Sequence, residues 1–110
     1  MSDQQEQLMQ QAQVLQQQLQ GILVQKENLG MQAMEIANAL DELDKTKEAD
    51  VYKATGPLLI KSAKTEVKKD LEEKKELIDL KVKTLEKSEE KIKVKMDEMR
   101  DRLTKAGIGA

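Results

Sequence analysis

The chain has 110 residues, enough for one domain or for half of an intertwined assembly. Phe and Trp are absent and Tyr52 is the one aromatic residue, so a thick globular core is not expected, while charged residues at 36% suffice to coat long helices. Basic and acidic residues stand at 19 against 21, a net charge of -2, which gives no general pull toward nucleic acid or an anionic membrane.

A first helix is expected over residues 4–48. Its apolar stripe runs Leu8, Ala12, Leu15, Leu19, Ile22, Lys26, Leu29, Ala33, Ile36, Leu40, Leu43, with Lys26 the sole interruption. Spacing of three and four in alternation keeps one seam toward a partner helix and implies a left-handed supercoil. Gly21 and Gly30 each cost about 1 kcal/mol against Ala in a helix. Both lie off the seam, so the helix is expected to continue and to be looser there. The opening "QQEQLMQQAQVLQQQLQ" has the composition of a prion-like tract. Its apolar residues are spaced for helix, and polar helix surface is the better reading.

A β-hairpin is expected over residues 50–63, with strands at Val51–Lys53 and Leu58–Ser62 and the turn in "ATGP". Gly56 supplies backbone angles other residues avoid, and Pro57 belongs at a strand start or an edge. Leu58 and Ile60 point one way and Leu59 the other, so both faces want cover. A lone two-stranded hairpin is marginal in water, and its outer edges carry unpaired N–H and C=O groups. A two-helix coiled coil has no sheet to meet them, so the partners must come from other chains, and closure into a barrel would remove the edges. The oligomerisation residues are accordingly Val51, Tyr52, Leu58, Leu59 and Ile60. The plainer alternative is an exposed loop that happens to contain "LLI".

The second helix is expected over residues 65–106, with Thr65 as N-cap and Glu66 in the first turn. Its stripe runs Leu71, Lys75, Ile78, Val82, Leu85, Glu89, Ile92, Met96, Met99, Leu103, Ala106, with Lys75 and Glu89 as polar intruders. Gly107 ends it and leaves a frayed tail over residues 107–110. The short connection folds the helices back antiparallel. Lys26 and Glu89 then lie at similar heights. Either they meet and help fix the register, or each snorkels separately to water, which is the plainer expectation.

Chemistry finds little foothold. Without His or Cys, the usual zinc ligand sets, Ser–His catalysis and thiol catalysis are excluded. The carboxylates of Asp41–Asp50 lack EF-hand spacing and read as a solvated helix end. Lys61–Lys69 is locally basic but has no aromatic stacking platform, so it reads as a solvated helix start. Neither "TGP" nor "GIGA" is a phosphate loop. Catalytic carboxylates need a cleft that perturbs them, which two thin helices do not offer. No enzyme activity, cofactor, metal, nucleic acid or membrane partner is expected. The opening residues lack the pattern of a secretory signal, and no apolar run approaches the roughly 20 residues of a membrane span. A soluble, cytoplasmic protein is expected.

In an antiparallel pair the start of the first helix and the end of the second meet. This end gathers Leu8, Met9, Val14, Leu15, Met96, Met99 and Leu103. Methionine adapts to varied surfaces. Seam packing explains most of these residues. Met9 and Val14 sit off the stripe and are the better candidates for exposed contact. A fraying end could also open and show its seam to a client.

Helix, hairpin with "VYKATGPLLIK", helix: the whole chain resembles the beta class of prefoldin subunits, in an archaeal-like form. The resemblance rests on Tyr52, Lys53, Gly56 and Leu58–Lys61, followed by a charged second helix. It implies a mostly α fold, a long antiparallel two-helix coiled coil whose central β-hairpin joins an intersubunit β-barrel. It further implies a hexamer of two alpha-class and four beta-class subunits. Such an assembly holds unfolded polypeptides at the coiled-coil tips without ATP and passes them to a group II chaperonin. The alternative function is a structural coiled-coil adaptor or scaffold subunit that binds no client. Gly21 and Gly30 depart from an ideal family helix and argue against a uniformly stiff arm.

Overall fold

The computed structural model describes residues 2–107; residues 108–110, most of the expected tail, lie outside the described residues. The elements in order are α1 (Asp3–Lys45), β1 (Asp50–Thr55), β2 (Leu58–Ala63) and α2 (Lys64–Lys105). The chain divides into two compact units. One holds the start of α1 and the end of α2, and the other, residues 28–81, holds the rest of both helices and the hairpin.

Ser2 begins α1. The Gln5 N–H donates to Ser2 Oγ at 3.2 Å, and the Ser2 N–H donates to Gln5 Oε1 at 2.9 Å. This reciprocal capping box satisfies groups that a helix start otherwise leaves open. In the first unit α1 and α2 run antiparallel, joined by Gln5 to Ala106 and Lys26 to Glu89. The stripe positions of both helices are half-buried or buried, with Ile92 and Met99 deepest. Gly107 closes α2 with φ +80°, and its N–H donates to Thr104 O at 3.1 Å. The positive φ is the conformation in which helices end on glycine.

In the second unit the seam is deepest at Ile36, Leu43 and Ile78. Helix α1 stops at Lys45, three residues before the expected end. The physical reason lies at Thr46, whose hydroxyl accepts from the Glu48 N–H at 3.3 Å, a local side-chain turn that competes with helix. The Lys64 ammonium donates to Thr46 O at 2.9 Å, and the Lys64 N–H donates to Ala49 O at 2.9 Å. These bonds tie the start of α2 to the end of α1. Helix α2 therefore begins at Lys64, one residue early, and Thr65 lies inside its first turn instead of capping it.

The hairpin is antiparallel, in register from Asp50↔Ala63 to Thr55↔Leu58. Ala54 and Thr55, expected in the turn, extend β1, and the loop shrinks to Gly56 and Pro57. Gly56 has φ +58°, and among the described residues no non-glycine residue has positive φ. Positive then negative φ over two residues is the II′ pattern, whose twist matches the flanking strands.

Candidate functional site: a terminal groove and an unpaired hairpin

The first unit carries an apolar groove between the start of α1 and the end of α2. Its volume is about 540 Å³, room for several side chains. Gln7, Gln10, Gln11, Val14 and Leu15 form one wall, and Lys95, Glu98, Met99 and Arg102 the other. Helical spacing explains the wall. Leu15 belongs to the seam, whereas Val14 lies one position off it and stands 51% exposed. Met99 is buried at the groove floor.

Of the seven residues expected to meet a client, the groove gathers Val14, Leu15 and Met99. Leu8 lines a neighbouring cleft with Gln5, Arg102 and Lys105. Met96 and Leu103 are half-buried in the seam. Met9 is exposed but lines neither cleft, because it lies five residues from Val14 and projects from the other flank of α1. The end of the pair is also stapled: Gln5 Nε2 donates to Ala106 O at 2.7 Å and closes an open carbonyl of α2. Leu23 and Val24, both exposed on α1, escaped the sequence reading. Their signal is the one that singled out Val14: an apolar residue outside the stripe.

Lys26 Nζ lies 2.8 Å from Glu89 Oε1, and Lys93 Nζ lies 2.9 Å from Glu89 Oε2. The Glu89 side chain is only 13% exposed. Hydrogen bonds from Lys26 and then Lys93 hold its carboxyl at about 2, below the usual 4.5, and the same contact raises Lys93.

The second unit carries the hairpin. Residues opposite in register share a face, and faces alternate along each strand. Tyr52, Ala54, Leu59 and Lys61 therefore share one face, and Val51, Lys53, Leu58 and Ile60 the other. Tyr52, Leu58 and Leu59 are all more than 60% exposed, and Ile60 is 47% exposed. Both faces thus carry exposed apolar side chains. Val51 differs from the other four in being half-buried; it and Tyr52 line a cleft with Ala39, Leu43, Val67 and Leu71 of their own helices. Among the described residues the sheet has two strands, so each has one edge without a strand partner.

Opposite charges meet at the root of the hairpin. Lys68 Nζ lies 3.1 Å from Asp44 Oδ1, which raises the Lys68 ammonium, and Lys61 Nζ lies 3.5 Å from Asp50 Oδ2. The acidic end of α1 and the basic start of α2 are therefore partners, where the sequence reading gave each to solvent. Among the described residues no group of three His, Cys, Asp or Glu is placed to hold a metal ion, and no helix is long and apolar enough to cross a membrane.

The prefoldin subunit family matches residues 5–107. The prefoldin subunit beta of Archaeoglobus fulgidus is 40% identical over 97 residues, covering 87% of this chain and 84% of the relative. That of Methanothrix thermoacetophila is 37% identical over 94 residues, covering 84% and 78%. The crystal structure of the prefoldin beta subunit from Thermococcus strain KS-1 superposes with a TM-score of 0.87 at 30% identity, over 96% of this chain and 93% of that one. Two long helices joined by one exposed hairpin, with sequence and fold similar to archaeal beta subunits along nearly their whole length, place the chain in the prefoldin subunit family, a family of chaperones.

Proposed function

We propose that this chain is an ATP-independent holdase subunit. It assembles through its hairpin with other prefoldin subunits, two of the alpha class to four of its own. It captures unfolded polypeptides at the free ends of its helix pair and passes them to a group II chaperonin in the cytoplasm.

The observation that carries capture is the groove beside Val14, with a half-exposed aliphatic side chain above a buried Met99. One such contact is weak. Several on one assembly hold a single client by avidity, which raises affinity by about 10²–10⁴ while each contact stays easy to release. Assembly rests on the strands, since Leu58, Leu59 and Ile60 stay exposed among the described residues. No catalytic step is assigned.

The test is suppression of a denatured protein's aggregation, followed by light scattering. Met9→Ser with Val14→Ser removes exposed apolar groups and leaves the seam intact. The variant should keep the native mass and lose most of the suppression. Equal suppression by this variant would favour the adaptor reading.

A further inference from the structure

From Gln7 to Gln25, α1 carries no ionisable side chain: its surface is glutamine interrupted by Met9, Val14, Leu23 and Val24. Across the groove, α2 from Lys91 to Lys105 is dense in cations and carboxylates. The two walls therefore offer a passing chain different chemistry. We infer that the charge-free wall of α1 is the recognition surface, and that it selects extended client segments of low charge, through glutamine amides on the client backbone and Val14 on its side chains. This rests on the capture reading and names the substrate class that reading leaves open.

An unfolded segment presents unpaired backbone N–H and C=O groups together with apolar side chains. A glutamine amide donates and accepts from one neutral group on a flexible stem. Gln7, Gln10 and Gln11 line the groove beside Val14. Laying a neutral segment against them desolvates amides, which regain hydrogen bonds from the client backbone. The same segment against Lys95, Glu98 or Arg102 would desolvate a charge and bring none of opposite sign to meet it, a larger penalty. A charged client residue laid against this wall would likewise lose water with no opposite charge to meet it, so the wall favours segments of low charge without preferring either sign. The charge-free stretch is about 27 Å long at 1.5 Å per residue, the span of about eight extended residues.

The experiment uses the chain in its native assembly and fluorescent eight-residue peptides, one built of Val, Leu and Asn and others with two Glu or two Lys. Binding is read by anisotropy. Two double variants are compared, Gln10→Glu with Gln11→Glu and Gln10→Lys with Gln11→Lys, at exposed positions where Gln, Glu and Lys have similar helix propensity. Both should weaken the neutral peptide by about tenfold, whatever the sign introduced. Each should recover the peptide of opposite charge. Loss with one sign only would overturn the inference, because recognition would then be electrostatic. Wild-type binding by both double variants, with Val14→Ser still impaired, would overturn it while leaving capture at the groove intact. No effect of Val14→Ser would remove both.

Discussion

Lys26 and Glu89 meet at 2.8 Å within the seam of the helix pair, Lys26 being the one charge in the stripe of α1 and Glu89 standing with Lys75 as the charges in that of α2. Antiparallel register brings them together, and a slip of either helix by a turn would leave both charges against aliphatic neighbours. The two are not equivalent. Glu89 has a second cation in Lys93, whereas Lys26 has no other carboxylate within ion-pair distance among the described residues. Removing Glu89 therefore strands Lys26, while removing Lys26 leaves Glu89 paired. Glu89→Leu should lower the melting temperature by several degrees and Lys26→Leu by less, with the double variant near or above wild type. Thermal melts by circular dichroism check the order.

The same pair sets an acid response. Glu89 titrates at about 2 in the folded chain against an ordinary 4.5. A depressed carboxylate stabilises fully above its unfolded value and loses that contribution as pH falls through the folded one. The loss should run from about pH 4.5 toward pH 2. Melts from neutral pH down to about pH 3 should show a smaller acid-dependent drop for Glu89→Gln than for wild type. Other carboxylates act alike in both proteins and cancel in the comparison.

Gly56 and Gly21 make opposite predictions from similar surroundings. A side-chain Cβ at either would meet open space. Gly56 has φ +58° in the turn, so Gly56→Ala should destabilise by about 1–2 kcal/mol through backbone strain alone. Gly21 is helical, and Gly21→Ala should stabilise by about 1 kcal/mol. Denaturant melts of the two variants give the signs.

Gln5 closes the free end of the pair from both sides, accepting from Ser2 and donating to Ala106. Gln5→Ala should cost about 1 kcal/mol. The effect should be local: faster amide hydrogen exchange in the first turns of α1 and the last turns of α2, with little change around Ile78.

Much of this fold is legible in the sequence. The stripes from Leu8 to Leu43 and from Leu71 to Ala106 follow one period, and burial in a seam obeys that period directly. The face alternation of Leu58, Leu59 and Ile60 follows from strand geometry in the same way. What escaped were pairings between distant residues. Lys68 with Asp44 needs the register of the helix pair, although oppositely charged blocks flanking the Gly56–Pro57 turn were a usable sign. The Ser2–Gln5 capping box stands in the sequence as S-x-x-Q, a signal that the run of glutamines around it masks. Val51 reads as one more exposed strand residue until the helix root closes over it.

Assembly as proposed requires neighbouring chains to pair with the strands Asp50–Thr55 and Leu58–Ala63. Leu59, 72% exposed and touching no seam, separates assembly from folding. The direct measurement is the native mass of Leu59→Glu beside wild type by sedimentation and light scattering, each with and without an alpha-class subunit. The prediction is a multi-subunit wild type with alpha-class subunit and a variant reduced to smaller species with full helical circular dichroism. A variant that assembles to the wild-type mass, or a wild type that stays a monomer beside its partner, would contradict it.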